Sequence, residues 1–409
     1  MHTSFAGKRI VVGVTGSIAA FKVAGWVSTL SKEEALVDVI MTVSARQFIT
    51  PLTFASLSGR RVYGDMFADE QSGSMSHIGL AREADCILVA PATAQTIARL
   101  AHGMADDLLS TTILAATVPV IVCPAMNVKM YEHPATRQNI AALQQLGYLV
   151  IDPESGVMAC GERGSGRLPE WDVVEEYVLR KLAVQDLAGQ VVLVTAGPTR
   201  EPYDPARFLS NRSSGKMGYA LARTAFRRGA EVILVSGPTH LSPPAGVRLV
   251  QVSTARQMHE AVLTHYQEAS VIVKAAAVSD FRSADEYREK IKKDQGAPVL
   301  RLEPNPDILL ELGTLRDPRQ QLLVGFAAES SNFEQEGRRK LAKKNLDLIA
   351  VNDIGSAHCG FETDANRLIL IDNDGVTELP HTSKMRSADL LWDHIVGNGL
   401  LRERPVQSR

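Results

Sequence analysis

The chain has 409 residues, 45% of them hydrophobic and 22% charged. It can therefore bury ample core, which excludes intrinsic disorder as its main state and makes two domains the natural expectation. Lys and Arg total 44 against 46 Asp and Glu, a net charge of -2, so there is none of the basic excess that nucleic acid or an anionic membrane surface favours.

The four cysteines, at positions 86, 123, 160 and 359, are too scattered for a disulfide framework. None has C-x-x-C spacing, which argues against a zinc ribbon and fits a reducing cytoplasm. Lys8 and Arg9 precede an apolar run, as in a signal peptide. Gly13, Thr15 and Gly16 interrupt that run, and Phe21-Lys22 offers no convincing cleavage site. The most hydrophobic stretch, Ile113 to Ala125, is broken by Pro119 and Pro124 and falls short of the roughly 20 residues a bilayer requires.

Along the chain, Lys8 to Val14 reads as a buried strand, Ser17 to Leu30 as a helix and Leu36 to Thr42 as a second strand. This strand–glycine turn–helix–strand unit implies a parallel sheet with a right-handed crossover. Further strands are expected at Cys86 to Ala90 and Val118 to Cys123, with helices around Ala94 to Leu100 and Pro134 to Leu146. The Gly-rich stretch 156–166 reads as a flap, and a helix from Trp171 to Leu182 closes the first half. The pattern restarts after a linker at 183–190. A strand at Val191 to Thr195, a long loop from Ala196 to Ser214, a helix from Gly215 to Arg228 and a strand at Glu231 to Val235 follow. Later strands are expected at Val271 to Ala275, Leu322 to Phe326, Leu346 to Val351 and Arg367 to Ile371. The expected architecture is two successive doubly wound α/β domains, at 1–189 and 190–409.

Each domain opens on a turn able to bind phosphate at a helix start. The usual NAD fold also places an acid at the end of the second strand. Met41-Thr42-Val43-Ser44 and Val235-Ser236-Gly237 stand there instead, which disfavours a dehydrogenase and suggests FMN or a nucleotide bound another way.

In the first half four segments stand out: Ser76-His77-Ile78 with Arg82, Pro91-Ala92-Thr93-Ala94, Pro124-Ala125-Met126-Asn127 with Met130, and Ala159-Cys160-Gly161. Each has a plain structural reading: a surface His, a helix N-cap at Thr93, an inert Cys. Together they read as one site at the carboxyl edge of the sheet. In the second half, Ser210-Asn211-Arg212-Ser213-Ser214-Gly215-Lys216 leads into a helix but lacks the upstream Gly of a Walker loop. Lys274-Ala275-Ala276 with Asp280, the cluster Lys290-Ile291-Lys292-Lys293, and the pair Lys340 and Lys344 follow. Solvated charged faces are the competing explanation for the lysines.

The His77, Pro124-Ala125-Met126-Asn127-Val128-Lys129-Met130 and Ala159-Cys160-Gly161 set resembles the flavin-dependent cysteine decarboxylases. From about Gly7 to Trp392 the chain resembles the bifunctional coenzyme A biosynthesis family, which joins phosphopantothenoylcysteine decarboxylase to phosphopantothenate–cysteine ligase. Asn211 with Ser-Ser-Gly-Lys-Met-Gly, Lys-Ala-Ala-Ala-Val with Asp280, Lys-Ile-Lys-Lys, Asn305-Pro306-Asp307-Ile308 and Gly325-Phe326-Ala327-Ala328-Glu329 match the ligase half.

The resemblance implies two Rossmann-like domains. In the first, Gly16, Ser17, Ser44, Thr93 and Ala125 would contact FMN, and His77 would assist oxidative decarboxylation. Asn127 would orient the substrate carboxylate, Cys160 would donate the proton that completes reduction, and Arg82 and Met130 would touch substrate. In the second, Lys274, Ala275, Ala276, Asp280, Lys290, Asn305, Pro306, Asp307, Ile308, Phe326, Lys340 and Lys344 would contact CTP. Asp280 would also hold Mg²⁺, and Asn211 and Lys290 would handle an acyl-cytidylate. Implied substrates are 4′-phosphopantothenate, L-cysteine and CTP, with no nucleic acid or membrane partner. A cytoplasmic homo-oligomer is implied, with ligase domains paired and decarboxylase domains in a larger assembly. The alternatives are a flavin-binding regulatory protein without catalysis, disfavoured by the presence of His77, Asn127 and Cys160, and an NAD-linked oxidoreductase.

Overall fold

The computed structural model describes residues 4–67, 75–158, 161–291, 299–329, 331–353 and 363–402. The chain divides into two units, Thr3–Leu182 and Ala183–Arg409.

In the first unit the β-branched runs become strands: β1 (Arg9–Val14), β2 (Leu36–Met41), β3 (Val62–Tyr63), β4 (Cys86–Ala92), β5 (Val120–Pro124) and β6 (Leu149–Val150). They form one parallel sheet in the order β3-β2-β1-β4-β5-β6. Alternate residues of a strand face opposite sides. Ile10, Val12 and Val14 accordingly join one core with Val23, Trp26 and Val27, while Val11, Ile87 and Val89 join another. Helix α1 (Ala20–Lys32) covers the first face, where Trp26 packs 5.5 Å from Trp171, centroid to centroid. The other face carries α4 (Ala94–Ala101), α5 (Leu108–Leu114) and α7 (Pro134–Gln145), which follow α2 (Pro51–Ser58), α3 (Ser76–Glu83) and α6 (Val128–Glu132) in the count. Helix α8 spans Trp171–Leu182 as expected.

Two expectations need correction here. The first helix starts at Ala20 rather than Ser17, because Ser17 N–H donates back to Thr15 and Ala20 N–H to Ser17, closing turns ahead of it. The Gly-rich stretch is not simply a flap: its described residues include β7 (Glu154–Val157) and β8 (Arg163–Arg167), paired antiparallel.

The second unit repeats the logic. Its sheet runs β13-β12-β9-β14-β17-β18-β20-β21. The parallel part comprises β9 (Val191–Ala196), β12 (Glu231–Ser236), β13 (Arg248–Gln251), β14 (Val271–Lys274), β17 (Leu322–Glu329) and β18 (Leu348–Asp353). The expected strand near 367–371 is present as β20 (Leu368–Asp372), but it runs antiparallel to β18, as does β21 (Val376–Glu378) to β20. The segment read as a long loop holds a hairpin, β10 (Arg200–Asp204) with β11 (Arg207–Ser210). Its turn is fixed by Asp204, whose carboxylate accepts from the N–H groups of Ala206 and Arg207, both at 2.8 Å. Short pairs β15 (Phe281–Ser283) with β16 (Leu302–Pro304), and β19 (Ala365–Asn366) with β22 (Thr382–Ser383), complete the strands. The helices are α9 (Lys216–Arg227), α10 (Ala255–His265), α11 (Ile308–Leu315), α12 (Phe333–Lys343) and α13 (Lys384–Gly397).

In each sheet the strand order reverses beside the first strand, between β1 and β4 and between β9 and β14. In open α/β sheets ligands bind outside the carboxyl ends of the strands at this point.

Candidate functional site

At the first reversal point, Thr15 Oγ1 donates to Pro91 O at 2.5 Å and accepts from Thr93 N–H at 3.1 Å. This hydroxyl ties the ends of β1 and β4 together. Gly16, Ser44, Thr93 and Met130 line a cavity of about 470 Å³ there. Gly16 is required by close approach: a Cβ on it would lie 2.4 Å from Ser44 Cβ. Thr93 also caps α4, accepting from Thr96 N–H at 3.3 Å, while lining the cavity. Arg99 lines the same cavity, held by Asp106 at 3.0 Å and Asp107 at 2.8 Å. Sequence reasoning missed it, since nothing local distinguishes it from a surface helix charge.

Ser17, Ala125 and Asn127 line a second cavity of about 470 Å³, with Met158 and Gly166. The β7–β8 hairpin is fastened to this edge, because Met126 N–H donates to Gly166 O at 2.9 Å. Asn127 caps α6: its Oδ1 accepts from Lys129 N–H at 2.8 Å, and its amide donates to Glu162. The expected site residues are shared between these two cavities, and the adjacent Gly16 and Ser17 line one each. Thr93 faces one cavity and Asn127 the other. His77, half-buried in the first turn of α3, and Arg82, exposed on the same helix, line neither. Cys160 lies outside the described residues. Burial pushes the Cys86 thiol up to about 12 and raises that of Cys123 as well, so both are inert core groups.

In the second unit a cavity of about 160 Å³ lies at the start of α9. Ser213 to Gly218 form one side, Ala275 to Ala277 and Phe326 to Ala328 another. Gly215 takes φ 79°, the left-handed region glycine favours, and it turns the chain into α9. The floor is stapled to the sheet by Ala276 N–H on Thr195 Oγ1 at 3.2 Å. Asn211 reaches the rim, its amide donating to Ala277 O at 3.0 Å.

Lys274, Asp307 and Lys344 form a neighbouring cluster. Lys344 Nζ contacts Asp307 at 2.9 Å. Burial, then Lys344, brings Lys274 down to about 8, against the pull of Asp307 and Asp280. Lys340 pairs with Glu329 at 2.5 Å, so neither helix lysine is merely a solvated face. Asn305 is spent on architecture: its amide donates to Ser279 O at 2.9 Å, and its Oδ1 accepts from Arg282 at 3.0 Å. Its own N–H donates to the backbone carbonyl of Asp280 at 2.8 Å. Pro306 precedes the helix at half-burial, and the Ile308 side chain is 1% exposed and packed in the core. Asp280 and Lys290 are exposed. Lys290 is absent from the cavity lining, and its neighbour Ile291 is tied to the β10–β11 hairpin through Arg207 at 2.8 Å. Lys292 and Lys293 lie outside the described residues. Among the described residues no cluster of three or more His, Cys, Asp or Glu could hold a metal by itself, and no helix is long and apolar enough to cross a membrane.

Two family models match the chain: Flavoprotein over residues 2–183, and the DNA/pantothenate metabolism flavoprotein C-terminal domain over residues 187–398. The chain is 46% identical over 383 residues to the coenzyme A biosynthesis bifunctional protein CoaBC of Bacillus subtilis, covering 92% of this chain and 94% of that one. It is 45% identical over 397 residues to the Escherichia coli protein of the same name, covering 96% and 98%. Among solved structures, the C-terminal domain of a CoaBC protein is 44% identical, with a TM-score of 0.45, over 52% of this chain and 97% of that one. The FMN-dependent cysteine decarboxylase SpaF is 28% identical, with a TM-score of 0.39, over 44% and 100%.

Proposed function

The chain belongs to the family of bifunctional coenzyme A biosynthesis proteins, and we propose how its two halves divide and perform the work. The protein is a bifunctional enzyme, a carboxy-lyase and a carbon–nitrogen ligase acting in coenzyme A biosynthesis. Residues 190–409 would join L-cysteine to 4′-phosphopantothenate with CTP, and residues 1–189 would decarboxylate the 4′-phosphopantothenoylcysteine to 4′-phosphopantetheine.

The observation that carries the ligase reading is one cavity. It gathers Ser213–Gly218, Ala275–Ala277 and Phe326 from three distant stretches to the head of a helix. A carboxylate resists attack by an amine until its oxygen becomes a leaving group, so nucleotide activation to an acyl-cytidylate, with pyrophosphate released, is the chemical requirement. Small residues at a helix N-terminus suit phosphate. Lys274 and Lys344 beside Asp307 suit developing charge. Mg²⁺ is commonly held by one or two carboxylates together with substrate phosphates, so the exposed Asp280 fits that ion without a full protein cage. Asn211, at the rim, would hold the acyl-cytidylate while cysteine attacks, with Lys290 assisting.

In the first half, FMN fits the cavity at Gly16, whose close contact with Ser44 leaves no room for a side chain. The volume lies within the roughly 300–1,000 Å³ of ordinary cofactor sites. Bound FMN would supply the electron sink that lets a cysteine carboxylate leave as CO₂. Asn127 would orient that carboxylate, His77 would assist its loss, and Cys160 Sγ would give the last proton to the enethiol. Arg82 and Met130 would touch substrate. A neighbouring decarboxylase subunit would complete the site, as the family resemblance implies. The protein would thus work in the cytoplasm as a homo-oligomer, with ligase domains paired.

CTP-dependent pyrophosphate release on adding phosphopantothenate and cysteine tests the ligase half. Asn211→Asp should let the acyl-cytidylate accumulate in that assay, and unchanged turnover would remove Asn211 from the mechanism.

A further inference from the structure

The cavity at the head of α9 has one wall to which no reactant has been assigned. Lys384 opens α13 and is 6% exposed, with its side chain in the cavity lining. Asn366, in β19, is 2% exposed and lines the same space. Its amide nitrogen contacts Met217 Sδ at 3.5 Å, but among the described residues its Oδ1 has no hydrogen-bond partner. Asn352, near the end of β18, lines the cavity too, and its Oδ1 is likewise buried without a partner. Buried acceptors are almost always satisfied, because leaving one unmade costs the full desolvation of that atom. Two orphan acceptors in one cavity therefore point to a ligand that brings donors.

The charge on this wall points the same way. Lys216 Nζ, in the first turn of α9, pairs with Asp364 at 2.5 Å, and the Asp364 side chain is 88% exposed. Burial, followed by the nearby Lys216, brings Lys384 down to about 8, with Asp364 opposing. Two ammonium groups thus converge on a space that also receives the positive end of a 12-residue helix. An anion between them would relieve that repulsion.

We propose that Lys384, Lys216 and Asn366 form the receiving wall for a phosphorylated reactant of the ligase. The lysines contact its phosphate, and Asn366 Oδ1 accepts from a hydroxyl or amide N–H beside that phosphate. The inference rests on the ligase reading and adds residues to it. CTP and 4′-phosphopantothenate both combine a phosphate with nearby donors, so the test separates them.

The experiment is calorimetric titration of the full-length protein with Mg·CTP and, separately, with 4′-phosphopantothenate. Wild type is compared with Lys384→Met, Asn366→Ala and the more exposed Lys216→Met, each checked by circular dichroism and thermal melting. Loss of a charge-assisted hydrogen bond should weaken one ligand by about tenfold or more. Weakening confined to CTP places the phosphate on the nucleotide, and weakening confined to phosphopantothenate places it on the acyl substrate. Either result supports the wall. Wild-type affinity for both ligands in folded Lys384→Met or Lys216→Met protein overturns it while leaving the ligase reading intact. Failure of the wild type to bind either ligand removes the ligase reading, and the wall with it.

Discussion

Lys344 Nζ lies 2.9 Å from Asp307 Oδ2, joining the end of α12 to the cap of α11. Burial alone would raise the Asp307 pKa. The hydrogen bond from Lys344 and the N–H of Leu310 outweigh it and hold the carboxyl below its usual range. The acid is thus kept ionised and aimed before any ligand arrives. Lys344→Met removes that charge and its bond, and CTP affinity should fall about tenfold, as read by titration with Mg·CTP. Unchanged affinity would take the pair out of the nucleotide site.

The buried lysines predict a pH dependence with a definite sign. Lys274 sits at about 8, lowered by burial and by Lys344, with Asp307 and Asp280 facing it. Anion binding needs the ammonium form. Below about 8 the free protein already carries it, whereas above that value a proton must be taken up on binding. CTP affinity should be flat on the acid side and weaken on the alkaline side, by up to about tenfold per pH unit for one such group. Lys384, also at about 8 in the same unit, should give the same alkaline weakening for whichever reactant its wall holds. A Lys274→Arg variant should lose the inflection in CTP affinity, and an inflection that persists would assign it elsewhere.

The parallel sheets were readable because their strands are short β-branched runs between glycine turns and amphipathic helices. The helix at Trp171–Leu182 matches residue for residue. The hairpin at Arg200–Ser210 was not readable, since its turn rests on Asp204 accepting local N–H groups, a bond that leaves little trace in hydrophobic pattern. The first helix was placed too early because backbone turns at Thr15–Ala20 consume its leading N–H groups. Among residues at the cavities, Gly16, Thr93, Asn127 and Asn211 drew notice by sitting just past strands in polar, small-residue segments. Lys384, Asn366 and Arg99 did not, because only the folded chain brings them to a cavity wall. The bonds of Asn305 to Ser279 and Arg282 were equally invisible in the sequence, since both partners lie more than twenty residues away.

Gly16 offers a test of the flavin cradle. An added methyl would meet Ser44 Cβ at 2.4 Å, well inside contact distance, so Ser44 must move in the cavity both residues line. Gly16→Ala should purify with much less flavin per chain than wild type, read from the visible absorption spectrum. Full flavin content with an unshifted spectrum would place the cofactor elsewhere.

Cys160 can be separated from the two buried thiols by its product pattern. Cys160→Ser should still release CO₂ from phosphopantothenoylcysteine yet stall at the oxidised, enethiol stage. Cys86→Ala and Cys123→Ala should affect stability alone, since both thiols are fully buried and held neutral. Normal yield of reduced thiol product from Cys160→Ser would end the proton-donor role.

The most direct test of the whole account is coupled turnover by the full-length protein supplied with 4′-phosphopantothenate, L-cysteine, CTP and Mg²⁺. The account predicts pyrophosphate, CO₂ and 4′-phosphopantetheine in equal amounts, with no other enzyme added. Pyrophosphate without CO₂, CO₂ only from added phosphopantothenoylcysteine, or no product at all would contradict the claim that one chain performs both steps.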